Sequence, residues 1–376
     1  MKTVSSFGFA SLVAAVLASC SAPSQSPAAA GDTLGDDGGG SGDDASNGNS
    51  ANPGPSASSS GGSGAGDASS GSRGGSSGAG TSGGGSSSGT GPVDGGLAVA
   101  TDADPGSDPE IAGSYTITTD TFSVPSNAEV FKCQSFANPF KGQQVDIKTW
   151  EANMSVGSHH MFVFYQSNAT NTSITDCNGL QIQPFTFVAQ GPHVFQTYPE
   201  GVGATIPTSM GFMVNVHFIN SGATTLNAQV KVTMYVTKAG VVKQHAGIVF
   251  VNNIALSEPA DGQPHTFSKT CAIGNTTPIT IVASNSHMHK TATHFTATMN
   301  GMPLYDTTLW SDPPMQPPPG GPMQLPTGAS ETFSCTYAPT GAPLSFGESV
   351  NNIMCIGQAI FYPTQNISSP FLGCNF

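Results

Sequence analysis

The sequence predicts an all-β protein of the sandwich or jelly-roll kind, on two observations, and carries the cysteines of a disulfide framework besides. Past Ile111 the chain is a succession of short runs rich in Val, Ile, Thr and Phe, broken by Gly, Pro, Asn and Ser, the texture of strands and turns. No segment carries apolar residues at the three-and-four spacing of a helix face. Six cysteines fall in this part, an even number that suits a disulfide framework in an exported chain.

The amino terminus supplies the export signal. Lys2 precedes an apolar run from Phe7 to Leu17, too short to span a bilayer, which ends in Leu17-Ala18-Ser19-Cys20. Residues 1–19 therefore read as a signal peptide and Cys20 as a lipidated mature terminus, because the run resembles the bacterial lipobox. Ordinary cleavage with a spare cysteine is the alternative. Ser21 follows Cys20, with no Asp to argue for inner-membrane retention, so the expected location is the cell envelope, lipid-anchored at the outer membrane.

Residues 20–110 are mainly Gly, Ser, Ala and Asp. Such a composition cannot bury enough surface to offset chain entropy, and a disordered tether is expected. From Ser21 to Glu110 there are eleven acidic residues against Arg73 alone, whereas the part from Ile111 onward has twelve acidic residues and eight Lys, with no Arg. The net charge of −13 is thus mainly the tether's, and a folded body without arginine argues against nucleic-acid binding.

The remaining part is long enough for two domains of ordinary size. Its clearest strand runs are Gly211 to Phe218, Ala228 to Thr237, Gly247 to Val251, Ile279 to Ala283 and Ile353 to Tyr362. Thr237-Lys238-Ala239-Gly240 lies between two of them and is the best boundary, giving domains at 111–239 and 240–376. The proline-dense stretch 312–322 can only be a loop or edge connection.

Histidines and one methionine stand out on these runs. His287 and His289 are two apart, so on a strand they share a face and form a two-ligand clip. His294 is at an odd offset from His289 and belongs to the opposite face. His159 and His160 are adjacent, so a regular strand aims them apart; they can share a metal only if the strand twists sharply or lies at an edge. His217 shares a face with Met213, Asn215 and Ile219, and a single His there is more often structural. Met354 alternates with Ile356, Gln358 and Ile360 and, taken alone, reads as a core methionine.

Their joint order changes that reading. His159-His160-Met161, Val216-His217-Phe218-Ile219-Asn220, His287-Met288-His289 and Met354-Cys355 occur in the order found in the copper type II, ascorbate-dependent monooxygenases. That family includes the peptidylglycine α-hydroxylating and dopamine β-monooxygenases. Pro199-Glu200-Gly201-Val202-Gly203 and Ala246-Gly247 are secondary matches, and the resemblance covers Tyr115 to Phe376.

The resemblance implies two tandem jelly-roll-like β-sandwich domains, each with one copper, facing a solvent-filled cleft. His159, His160 and His217 would hold the electron-storing copper; His287, His289 and Met354 would hold the catalytic copper. Imidazole suits copper and a thioether favours Cu(I). The implied reaction is hydroxylation of a C–H bond of an organic small molecule with O2 and ascorbate or a similar one-electron donor. The implied disulfides are Cys133–Cys177, Cys271–Cys374 and Cys335–Cys355; the residues alone allow fifteen pairings of six cysteines. A monomer is expected.

The chain departs from the family where the peptide-hydroxylating branch holds its substrate carboxylate: those positions are Asn285, Ile356 and Gln358. An uncharged or amine-bearing substrate is expected instead, although a lysine such as Lys290 could still reach the cleft. A non-catalytic copper-binding or copper-delivery lipoprotein is the alternative function.

Overall fold

A computed structural model describes residues 105–376, apart from 180, 182, 368, 369, 375 and 376. The signal peptide, Cys20 and nearly all of the tether lie outside the described residues. Among those described there is no α-helix, only a short 3-10 turn at Pro105–Ser107, and the rest is strand and connection. The all-β expectation holds.

Four sheets carry the fold. The first pair begins with a sheet ordered Ile111–Thr118, Val230–Thr237, Val145–Met154, Val202–Ile206 and Gln244–His245, with His193–Thr197 also paired to Val145–Met154. Its partner sheet runs Thr175–Asp176, Ala128–Phe136, Met210–Asn220, Ser158–Ser167 and Phe185–Ala189. Alternation builds the core between them: Ile147, Trp150 and Ala152 face Val163, Phe212, Val214 and Phe218. Gln244–His245 returns to pair in parallel with Val202–Ile206, so the first sandwich keeps the chain to His245, beyond the 239/240 boundary read from the sequence.

The second sandwich pairs the five strands Met323–Leu325, Ile279–Met288, Cys355–Tyr362, Gly247–Asn252 and Phe371–Cys374 with the four strands His265–Ala272, Ser330–Tyr337, Ala292–Met299 and Met302–Thr307. Its core includes Ile281, Met288, Phe295, Phe333 and Phe361. Cys133–Cys177, Cys271–Cys374 and Cys335–Cys355 all form, with Cα separations of 5.8, 5.9 and 5.9 Å. The last joins the two sheets of the second sandwich at the residue after Met354; closing its 20-residue loop contributes about 3 kcal/mol in the chain-entropy model.

The two five-stranded sheets also meet, through the faces turned away from their own cores. Phe164, Phe185 and Val188 of the first pack against Ile248, Phe250, Met354 and Ile356 of the second. Phe185 contacts Phe162, Phe164, Phe250 and Phe371 edge-on, with centroids 5.1 to 6.0 Å apart. The solvent-filled cleft implied by the resemblance is replaced over this area by an apolar layer, because both sheets carry large apolar side chains on both faces.

Candidate metal centre

Two strand irregularities aim the histidines. In the pairing of Ser158–Ser167 with Met210–Asn220, His160 faces His217 and Ser158 faces Phe218, so His159 is the extra residue of a bulge. On a regular strand His159 would follow Val163 toward the first core. The bulge brings it to the side of His160 and Phe162, as bulges do when they re-aim a side chain. This happens inside the sheet, since the strand is flanked by Met210–Asn220 and Phe185–Ala189, and the edge position allowed by the sequence is not needed.

The second irregularity is at Val282. Ile281 pairs with Phe361 and Ala283 with Ile360, which leaves Val282 as the added residue. Before it, Ile279 and Ile281 face the second core; after it, Met288 does, and Ala283, Asn285, His287 and His289 turn to the first sandwich. A one-residue change of phase exchanges the two faces of a strand. Without the bulge the His-x-His clip would point into the core. His287 lies opposite Ile356 and Met288 opposite Cys355, so the register continued by one residue sets Met354 across from His289.

All five histidines are buried: His217 and His289 fully, His159, His160 and His287 to within a few per cent. They meet in one cluster. Among the described residues, the ligand atoms of His159, His160 and His287 all lie within 4.8 Å of one another. Ring centroids are 5.1 Å apart for His159 and His160, 5.1 Å for each of them with His217, and 4.9 Å for His159 with His287. His160 and His287 are closer still, at 4.7 Å, while His289 stands 5.3 Å from His287 and 5.8 Å from His159. The segregation of ligands by domain that the resemblance implies is not what this geometry has; docking of the two five-stranded sheets mixes them. His294 is outside the cluster, on the surface against Asp306 at 3.1 Å.

The protein orients the rings and leaves their inner nitrogens free. His287 donates from Nδ1 to Gln190 Oε1 at 2.6 Å, and Gln190 donates in turn to the Ser286 carbonyl at 2.7 Å. His217 donates from Nε2 to Glu129 Oε2 at 3.1 Å and stacks on Phe131 at 4.1 Å. Six buried ring nitrogens have no hydrogen-bond partner: His159 Nε2, His160 Nδ1, His217 Nδ1, His287 Nε2, and both of His289. Leaving so many polar atoms unmade costs stability. Neutral imidazoles converging in this way are what a transition metal requires, and carboxylates fixing the outer N–H are the usual support.

Electrostatics agree. Burial, reinforced by the neighbouring imidazoles, holds His159, His160 and His287 well below the ordinary histidine range. His289 is lowered to about 4, by burial and then by His217; the carbonyls of Asn352 and Ser349 oppose this weakly from outside normal hydrogen-bond geometry. Burial works against a charge on Glu129, but the bonds from His217, the Val350 N–H and Ser349 outweigh it and hold the carboxyl at about 2. At neutral pH His159, His160, His287 and His289 are therefore uncharged, beside the Glu129 anion.

Glu129, Gln190, Phe131 and Trp310 were not legible as site residues in the sequence. Glu129 also accepts from Ser349, Val350 and Asn351, so it ties His217 to the loop that leads into Met354. Trp310, at the approach to the proline-rich loop, lies 6.0 Å from His159. A cavity of about 500 Å³ opens on the outer side of Glu129 and Phe131, bounded by Asn127, Lys290 and Asn351. Asn285, Ile356 and Gln358 do not line it: they are buried on the face that the first sandwich covers.

No protein-family model matches the chain, and no curated protein matches it. Among solved structures, similarity is found to PNGase F, a glycosylasparaginase from Flavobacterium meningosepticum, with a TM-score of 0.32 and 10% identity over 67% of this chain and 96% of that one. The PBSX exported protein XepA gives a TM-score of 0.16 at 8% identity, over 65% and 86% of the two chains. The VP2 subviral particle of infectious bursal disease virus gives 0.17 at 10% identity, over 70% and 75%. These scores are too low to carry an argument about function.

Proposed function

We propose that this chain is a copper-dependent monooxygenase that hydroxylates a C–H bond of an organic small molecule, using O2 and an ascorbate-like reductant. The observation that carries the reading is the convergence of five buried histidines whose inner nitrogens have no partner. Copper rather than a hard cation fits a donor set of imidazoles with Met354 set across from His289 and no free thiolate, since the six cysteines of the folded part are bridged. Bound copper supplies one-electron redox chemistry and activation of dioxygen.

The protein's own part is positioning. Gln190 and Glu129 fix which nitrogens of His287 and His217 face inward. Met354 is buried in the apolar cluster that also holds Ile356, with Phe162 and Phe346 packed against it, which keeps water from that layer. The cavity beside Glu129 and Phe131, the two residues that bond and stack on the His217 ring, is the proposed entry for substrate. A carboxylate entering there would meet the Glu129 anion as well as Lys290, which favours an uncharged or amine-bearing substrate. Export with a lipid anchor at Cys20 is part of the proposal, and three disulfides suit an oxidising compartment.

Ascorbate-dependent O2 uptake by the copper-loaded protein, with analysis of products from neutral phenylalkyl compounds and glycine-extended peptides, is the test. Hydroxylated product from the neutral compounds is expected. Copper released readily to a chelator, with no O2 consumed in the presence of any substrate, would replace the monooxygenase by a copper carrier.

A further inference from the structure

We infer that His159, His160 and His287 hold one metal ion between the two sandwiches, so that occupancy of this site clamps one sandwich to the other. The inference rests on the reading of the cluster as a transition-metal centre. It goes beyond that reading in assigning ligands across the domains and in giving the metal a mechanical role.

The distances decide the grouping. If each sandwich held its own ion, the rings of one sandwich would lie nearer to each other than to those of the other. The two shortest separations instead cross the sandwiches, 4.7 Å for His160 with His287 and 4.9 Å for His159 with His287, against 5.1 Å for His159 with His160 and 5.3 Å for His287 with His289, while His289 stands apart from His159 at 5.8 Å. Nitrogens about 2.0–2.1 Å from a metal stand roughly 3.4 Å apart, so three ligand atoms within 4.8 Å of one another need only small ring rotations to close on an ion.

Each ring has the nitrogen the site needs. His287 Nε2 is free because Nδ1 is committed to Gln190, itself a residue of the first sandwich; His159 Nε2 and His160 Nδ1 have no partner. The clamp would add to an interface already joined by Gln190 with Ser286 and His287, and by Glu129 with Ser349 and Val350. His217 and His289 remain, 5.1 and 5.8 Å from His159, so any second ion they helped to hold would be a close neighbour rather than a remote one.

Two measurements test this on the full mature chain. In the first, wild type, His159→Ala, His287→Ala and the double variant are loaded with Cu(II), freed of loose metal against glycine, and assayed for copper per chain. Each single variant is expected to lose the same one ion and the double variant no more. Singles that each lose one ion while the double loses two, or a His287→Ala that keeps what His159→Ala loses, would overturn the inference while leaving copper binding intact. The second measurement needs no variant that might misfold: amide hydrogen exchange of wild type with and without one equivalent of Cu(II). Exchange at His159–Met161 and at Ser286–Met288 should slow together, by fivefold or more. Protection confined to one sandwich overturns the clamp, and a wild type that binds no copper overturns both this inference and the functional proposal.

Discussion

The two five-stranded sheets meet along one face, yet the two ends of that face are built on opposite principles. At one end Phe162, Phe164 and Phe185 pack on Ile248, Phe250 and Phe371, an apolar contact that needs nothing else. At the other, the same two sheets present His159, His160, His217, His287 and His289, with six nitrogens that no protein group satisfies. The first end explains why the sandwiches adhere. The second weakens that adhesion when empty of ligand, and such a liability in a buried layer points to function rather than folding.

The largest expected effect tests the apolar end. Phe185→Ala removes a ring that is almost fully buried among four others and should destabilise the fold by about 3–5 kcal/mol in urea melts, with copper per chain unchanged. A matching loss of copper would mean that the two ends are not separable.

Next is a buried polar group away from the histidines. Glu331 lies in the second core, with its carboxyl over Gly357 on the far side of the methionine strand, and burial raises it to about 8. A carboxyl favoured in its neutral form when folded contributes stability that is full below about 4.5 and is lost as pH rises to about 8. Glu331→Gln should therefore flatten this dependence and exceed wild type at pH 8 by on the order of 3 kcal/mol, read from melts at pH 5 and pH 8. Parallel curves for the two proteins would show that Glu331 is charged in the fold.

At the histidine end the expected sign reverses. His289 is fully buried with both nitrogens unpartnered, so His289→Leu should stabilise the metal-free protein by about 1–2 kcal/mol while reducing the stabilisation gained on adding copper. A less stable metal-free variant would imply that the ring is satisfied in solution. The smallest effect is that of Glu129→Gln, which keeps the shape but removes the anion that His217 and the Ser349–Asn351 loop share; copper affinity should fall about tenfold in chelator competition.

The sequence made the strands legible, and much of their facing. His217 does share a face with Asn215 and Met213, and Met354 with Ile356, because both strands are regular there. What it could not disclose depends on register and docking. The bulges at His159 and Val282 leave no mark of their own in composition, yet they decide whether three of the five histidines reach the cluster. Glu129 and Gln190 act on rings 88 and 97 residues away, beyond any local pattern. The grouping of ligands went unread for the same reason: the resemblance assigns histidines by position along the chain, whereas ring contacts follow the packing of one sandwich on the other.

X-ray absorption at the copper edge of the loaded wild-type chain, after gel filtration, tests most directly whether the unsatisfied histidines are a metal centre. The expected spectrum is that of copper retained by the chain with about three imidazole nitrogens at 2.0–2.1 Å, the multiple-scattering pattern of the rings identifying them. A chain that keeps no copper through filtration, or a spectrum of oxygen ligands without imidazole scattering, would contradict the account.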